Sequence, residues 1–384
     1  MVKFVASSLA ALVLTVATIQ AQSTTTAAAA TTKTTTSAAA ATTTTTTWPA
    51  ANQVPPTNSA EVQAWLKEID LTGAPDIELH KGDPPSCPNP PIANECYWTC
   101  DGCSDDDIVS CARPNTWGLT FDDGPSTDTP TLLTYLKGQN LAASFFLIGS
   151  NVVQYPEIVK QEVAEGHHLA SHTWSHHALT TLTNEQIVAE MRWTEKAVME
   201  YTGLKLKYMR PPYGDINARV RFVLKKLGYI PVDWTGDEFD TNDWQMPTMS
   251  ESTVISTFTK SLDTYAASNK TTGFYCLEHD LNNLTVGVAQ KIIPLGLARN
   301  ITIAPIPVCE SDASPYQNSN TATTTTAATN GTTATSTSAN QSATSSSTSG
   351  NQANQGKTSG AESRVAGSAL SAIAGAAVAG LLLA

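Results

Sequence analysis

Two short runs of this chain concentrate side chains that bind metals and move protons. "TFDDG" places Asp122 and Asp123 side by side after a strand-like stretch, and "HHLASHTWSHH" collects five of the chain's seven histidines. A surface loop has no structural need for five imidazoles. Asp123 with His172 and His176 makes a set of two imidazoles and one carboxylate, a ligand type suited to catalytic zinc, which keeps an open position for water. Cobalt, iron and manganese suit the same set, so the presence of a divalent ion is better specified than its identity, with Zn2+ the first choice and Co2+ an alternative. Adjacent side chains leave a backbone in different directions. The second carboxylate, Asp122, is therefore free to take a proton from an attacking water as general base. His167 reads as a packing or hydrogen-bonding residue, His177 as a rim residue, and His168 has no assigned role.

Three more runs carry compatible chemistry. In "RPPYG", Arg210 can grip the Asp122 carboxylate with a two-pronged fork and keep it ionised. Tyr213 retains a backbone N–H after the two prolines, a rigid donor for a developing oxyanion. In "DTNDW" and "LEHD", His279 can protonate a leaving group and Asp243 can orient that imidazole, leaving Asp240 a loop or rim role. Trp244 and Leu277 are apolar residues able to wall a small pocket.

The elements that must position these residues alternate regularly between about Arg113 and Pro307. "NTWGLTF", "ASFFLIG", "HLASH", "KYM", "IPVDWTG", "GFYCLEHD" and "NITIAPI" read as strands. "TPTLLTYLKGQN", "YPEIVKQEVAEGH", "TNEQIVAEMRWTEKAVMEYTG", "INARVRFVLKKLGY", the run from about Glu251 to Ala266, and "VGVAQKIIPLGL" read as helices. About seven strands separated by helices imply an α/β fold with a mainly parallel sheet. A distorted (β/α) barrel is expected over an open sheet, because distinctive residues recur at nearly every strand end and a barrel gathers those ends at one mouth.

These five motifs, in this order over Trp117 to Pro307, resemble the polysaccharide deacetylase family built on the NodB homology domain, and within it the fungal chitin deacetylases of the cell wall. The resemblance implies Asp122 as base, Asp123, His172 and His176 as metal ligands, Arg210 as support for the base, the Tyr213 N–H as oxyanion donor, and Asp243 bracing His279 as acid. It also implies a barrel with fewer than eight regular units. Two departures concern the second motif, where the family often has serine after the first histidine and proline after the second; here Thr173 and His177 stand there. The implied reaction is metal-dependent hydrolysis of the N-acetyl group of N-acetylglucosamine units in chitin, giving chitosan and acetate. Another acetylated glycan, such as xylan or peptidoglycan, is the alternative substrate, and a non-catalytic wall mannoprotein the alternative class.

The remaining sequence frames this core. Residues 1–21 have an early lysine and an apolar run, the layout of a secretory signal. Residues 22–58 are Thr/Ala-rich low complexity, and 311–364 form a Ser/Thr-rich stalk suited to O-linked sugars. Residues 59–112 hold five of the seven cysteines and read as a disulfide-braced cap, a zinc ribbon being the competing reading. Cys276 and Cys309 can pair with each other or with the cap. The catalytic domain is expected over 113–310. Residues 365–384 are apolar and uncharged, which fits a signal exchanged for a glycosyl-phosphatidylinositol anchor, with a spanning helix as the alternative. Sequons stand at Asn269, Asn283, Asn300, Asn330 and Asn340. Together these predict a protein secreted to the cell surface and anchored at the plasma membrane and wall, with no obligate protein partner. The net charge of −12 and the absence of a basic stripe exclude a nucleic-acid-binding role.

Overall fold

The computed structural model describes residues 47–319. The expected signal, the apolar tail, the sequons at Asn330 and Asn340 and the expected stalk from residue 320 on lie outside the described residues. Residues 311–319 of that stalk instead pack on the body, Tyr316 bridging Leu206 and the Gln317 N–H donating to the Lys205 carbonyl at 2.8 Å. The expected low-complexity segment gives way to packing from its last residues. Trp48 stacks on Trp174 with ring centroids 6.0 Å apart and meets the Trp193 ring edge-on at 5.8 Å, while Trp174 Nε1 donates to the Ala50 carbonyl at 3.1 Å. An aromatic side chain after a threonine tract has apolar area to bury, which the tract lacks.

The strands are β1 (Thr116–Gly118), β2 (Thr120–Asp122), β3 (Ser144–Leu147), β4 (His168–Ser171), β5 (Tyr208–Met209), β6 (Ile230–Pro231), β7 (Phe274–Tyr275) and β8 (Thr302–Ala304). All pairings are parallel, in a five-stranded sheet ordered β2-β3-β4-β5-β6 and a three-stranded sheet ordered β7-β1-β8. The first expected strand is split because it changes partner. The Leu119 N–H donates to the carbonyl of Ala304, the last residue of β8, while its own carbonyl accepts from the Ser144 N–H of β3. Beyond β6 the chain reaches β7 through single contacts, with Thr235 N–H donating to the Tyr275 carbonyl at 3.1 Å and Asp240 bridging Leu277. The architecture is α/β with a parallel sheet, consistent with a distorted (β/α) barrel, and no strand ladder joins β6 to β7 among the described residues.

Helices cover the sheet where the pattern places them. The Asn184–Thr202 helix starts at a capping box, Thr183 Oγ1 accepting from Gln186 N–H at 3.2 Å and Gln186 Oε1 from Thr183 N–H at 2.9 Å. It stops at Gly203, whose φ of 72° supplies the left-handed cap. A short helix at Gly149–Gln154 was not legible in the pattern, since "GSNVVQ" is brief and rich in poor helix formers. Among the described residues, no helix is long and apolar enough to cross a membrane.

Alternation along the strands sorts the core into two faces. Phe121, Phe145, Leu169 and Met209 join the large cluster under the helices, whereas Phe146, Ala170, Tyr208 and Val232 join a smaller cluster on the opposite face. Register aligns Asp122, Phe146, Ala170 and Tyr208 across that inner face, and His172 and Arg210 follow one step beyond β4 and β5. Three chemical residues therefore emerge together at the carboxyl ends of neighbouring strands.

The cap is braced by Cys87–Cys100 and Cys96–Cys103, and Cys111 bonds Cys309 across the whole catalytic region. Cys96 and Cys103 lie close to Asp105, but as a disulfide they offer no thiolate to a metal. Cys276 is the free thiol among the described residues, and it is buried, its Sγ 2.7 Å from Trp117 Nε1 and 2.6 Å from Glu278 Oε1.

Candidate metal centre and active site

Asp123 lies immediately after β2 and turns to a φ of 73°, so its side chain leaves the strand direction kept by Asp122. The ligand atoms of Asp123, His172 and His176 all lie within 4.8 Å of one another. Asp123 Oδ1 is 3.5 Å from His172 Nε2 and 3.2 Å from His176 Nε2. The His172 Nδ1 nitrogen is 2.7 Å from the Arg210 carbonyl, which makes Nδ1 the protonated nitrogen and leaves Nε2 free to ligate. Burial lowers the pKa of His172 to about 3 and lowers that of His176, so both rings are neutral, the form that binds a metal. Burial would raise Asp123, yet His176, His279 and His172 outweigh it and hold the carboxyl below its usual range. Asp123 Oδ1 is buried without a hydrogen-bond partner. An orphaned carboxylate oxygen facing two neutral imidazoles fits a divalent ion, and the donor set forms a divalent-metal-binding site.

Asp122 is buried beside this set, its Oδ2 3.9 Å from His172 Nε2. Arg210, fully buried, donates from one guanidinium nitrogen to Asp122 Oδ1 at 2.9 Å and from the same nitrogen to Thr120 Oγ1 at 2.9 Å. Its other nitrogens donate to the carbonyls of Val232 and Asp233, so the arginine braces Asp122 through one prong rather than the expected fork. Burial raises the Asp122 pKa to about 6 against the opposing pull of Arg210 and His279, which leaves the group ionised at neutral pH and more basic than an ordinary aspartate. Burial also pushes Glu278 and Asp233 up to about 8, so these acids beneath the site are neutral at pH 7 and do not compete for the guanidinium.

On the other flank, His279 Nδ1 is 2.6 Å from Asp243 Oδ1, and the His279 N–H donates to Asp243 Oδ2 at 2.9 Å. Both oxygens of Asp243 are thereby committed to one residue. Burial would lower the His279 pKa, but Asp243, with Asp123 and Asp122 nearby, pushes it up to about 10. Its Nε2 faces the metal set, 4.0 Å from Asp123 Oδ2. Tyr213 adopts a φ of 62° in the turn after the prolines and sets its ring against His176 with centroids 4.7 Å apart. Trp244 is 53% exposed beside Asp243, whereas Leu277 is buried. Asp240 caps a turn through the Asn242 N–H.

The other singled-out residues fall outside the metal set. His167 Nδ1 accepts from the Ala143 N–H at 3.1 Å, and His168 pairs with Ser144 Oγ at 3.0 Å under Tyr208 and Tyr316. His177 is partly exposed at the rim. Asn269, Asn283 and Asn300 are exposed. Sequence reasoning missed Asp280, whose carboxyl lies against Gly124 and accepts from Thr129 Oγ1 at 2.5 Å, tying "LEHD" to the turn after "TFDDG". The adjacency of that aspartate to His279 was the available signal.

A parallel α/β scaffold carrying two imidazoles, a carboxylate, a second, buried carboxylate and a braced imidazole defines a metal-dependent hydrolase site. A family profile for polysaccharide deacetylases matches residues 110–232. Chitin deacetylase 1 of Cryptococcus neoformans var. grubii is 43% identical over 265 residues, covering 65% of this chain and 56% of that protein. Chitin deacetylase 1 of Saccharomyces cerevisiae is 38% identical over 242 residues, covering 62% of this chain and 75% of that protein. The solved structure of the chitin deacetylase from the fungal pathogen Colletotrichum lindemuthianum superposes with a TM-score of 0.50 at 30% identity, covering 55% of this chain and 95% of that one. The chain belongs to the polysaccharide deacetylase family. It spans little more than half the length of the Cryptococcus relative.

Proposed function

We propose that the protein removes the N-acetyl group from N-acetylglucosamine units of chitin, producing chitosan and acetate. The observation that carries this reading is the flanking of one metal-ligand set by two differently braced groups, Asp122 under Arg210 and His279 against Asp243. Asp123, His172 and His176 would hold a divalent ion, which would supply a Lewis acid for the amide carbonyl and lower the pKa of the attacking water. Asp122 takes the proton from the attacking water as the new C–O bond forms. The Tyr213 N–H donates to the developing oxyanion. His279, charged by its contact with Asp243, gives a proton from Nε2 to the departing nitrogen as the C–N bond breaks. The amine is a poor leaving group without that proton, which suits an amide substrate more than an ester. Zinc is the proposed ion and cobalt a functional substitute.

Chitin as the substrate is supported by the names of the similar proteins and by the expected placement of the chain outside the cell. That placement, a secreted protein with a glycosyl-phosphatidylinositol anchor, is itself proposed from residues 1–21 and 365–384, and the exposed sequons and paired cysteines accord with it. Release from intact cells by a phospholipase that cleaves such anchors tests the location. Acetate release from chitin oligomers of increasing length, beside acetylated xylan and peptidoglycan fragments, tests the substrate. Longer chitin oligomers are expected to exceed the dimer, because neighbouring sugars in an open cleft contribute binding energy. Greater activity on xylan than on every chitin oligomer would overturn the substrate, and no acetate from any substrate would return the protein to the mannoprotein reading.

A further inference from the structure

The two histidine ligands are held in different ways. His172 is aimed by a hydrogen bond from its own ring to the Arg210 carbonyl. His176 takes its place from the loop that carries it. That loop contains two residues in the left-handed region, Thr173 at φ 65° and His176 at φ 60°, conformations that side chains other than glycine adopt only when their surroundings impose them.

Two carboxylates from outside the loop meet it. Glu190, fully buried on the Asn184–Thr202 helix, accepts from the Trp174 N–H at 2.7 Å, the Ser175 N–H at 2.9 Å and Ser175 Oγ at 2.5 Å. Ser175 Oγ is in turn 2.8 Å from His177 Nδ1. Asp83 of the cap accepts from the Ala178 N–H at 2.9 Å through Oδ1, and its Oδ2 stands 3.6 Å from His177 Nε2. The loop is thus held on both sides of His176, on one by the catalytic body and on the other by a segment outside the residues that carry the family match.

The cap is itself fastened to the body next to this point. His80 N–H donates to the Thr180 carbonyl at 3.1 Å, and Tyr97 Oη donates to Asp215 at 2.5 Å. Thr99 Oγ1 donates to the Gly214 carbonyl at 2.6 Å, beside the turn of Tyr213. Asp83 therefore approaches the histidine loop from a rigid support.

We propose that Glu190 and Asp83 are positioning residues for the metal site, and that through Asp83 the cysteine-rich cap forms part of that site. The inference rests on the reading of Asp123, His172 and His176 as metal ligands. Neither acid touches the ion or the substrate. Each fixes the path of the loop, and the loop fixes where His176 Nε2 stands. A gap of a few tenths of an ångström at one ligand is felt first in how tightly the ion is held.

The test uses the full chain as wild type, Asp83→Ala, Asp83→Asn, Glu190→Gln and Ser175→Ala. Zinc affinity is measured by competition with a chromophoric chelator, and acetate release is measured at saturating zinc. Asp83→Ala is expected to weaken zinc binding roughly ten- to hundredfold, the usual loss when a group supporting a ligand is removed, and Glu190→Gln, which keeps one oxygen for the Trp174 and Ser175 N–H groups, to weaken it less. At saturating zinc the deficit in turnover should be smaller than the loss of affinity, since excess zinc refills the site. Asp83→Asn, which keeps an oxygen for the Ala178 N–H, should recover most of the affinity. Equal zinc affinity in wild type, Asp83→Ala and Ser175→Ala would overturn the inference even if Glu190→Gln fails to fold. Lower turnover at saturating zinc with unchanged affinity would also overturn it. A wild type that binds no zinc would instead remove the ligand reading on which it stands.

Discussion

Asp122 and Asp123 show how neighbouring residues of one type come to hold different positions. Asp122 keeps the extended geometry of β2 and points to the inner face, where Arg210 meets it, while Asp123 turns away at φ 73° toward the imidazoles. Asp122→Asn is expected to retain the metal and lose roughly two to four orders of magnitude in turnover, the usual value of general-base catalysis. Asp123→Asn should lose metal affinity as well, and metal analysis beside single-turnover kinetics separates the two. A second prediction concerns His168, whose pKa burial lowers to about 3. The folded value lies below the unfolded value, so the neutral ring's contribution is fully present above about pH 6.5 and is lost as pH falls toward 3. The buried carboxyls Glu278 and Asp233 act in the opposite direction, so the comparison must be with a variant. Between pH 7 and 5, His168→Gln should lose about 2 kcal/mol less stability than wild type in urea melts. The proposed ligands, base and acid were readable as candidates because each sits in a short run of scarce residue types. Glu190 and Asp83 were not, because one occupies an ordinary helix position and the other a proline-rich turn, and only the folded chain brings them to the histidine loop.

At the level of elements, the rhythm of strands and helices was readable because parallel strands with both faces covered appear as unbroken apolar runs, such as "SFFL". The capping box at Thr183 marked its helix start in the same way. The splitting of the first strand was not readable, since it reflects a change of partner at Leu119 rather than any break in pattern. Nor was the short helix from Gly149, which depends on close approach to the Asn184–Thr202 helix. A Cβ at Gly149 would stand 2.5 Å from Thr194 Oγ1, 2.8 Å from Trp174 Cε3 and 2.9 Å from Thr194 Cα. Since the last of these is backbone, rotation of a side chain cannot relieve the crowding. Gly149→Ala should therefore lower stability by about 1–3 kcal/mol in a denaturant titration, the usual cost of overpacking. An unchanged midpoint would show that the two helices are free to separate.

For the whole molecule, the cysteine-dense cap was legible as a disulfide unit, whereas the pairing of Cys309 with Cys111 and the isolation of Cys276 depended on distances that no spacing encodes. The Cys111–Cys309 bridge closes a loop with a sequence separation of 198. Opening it by Cys111→Ser with Cys309→Ser should cost about 3–5 kcal/mol, most of it through the freer unfolded chain, read as a lower melting temperature at unchanged metal content. The bridge has a further consequence wherever the protein meets a protease. Any single cut between Cys111 and Cys309, for example in the exposed turn around Asn269, leaves two polypeptides joined by sulfur. Nicked enzyme would migrate as one species without reductant and as two with it, and could keep its active site assembled after its backbone has been severed.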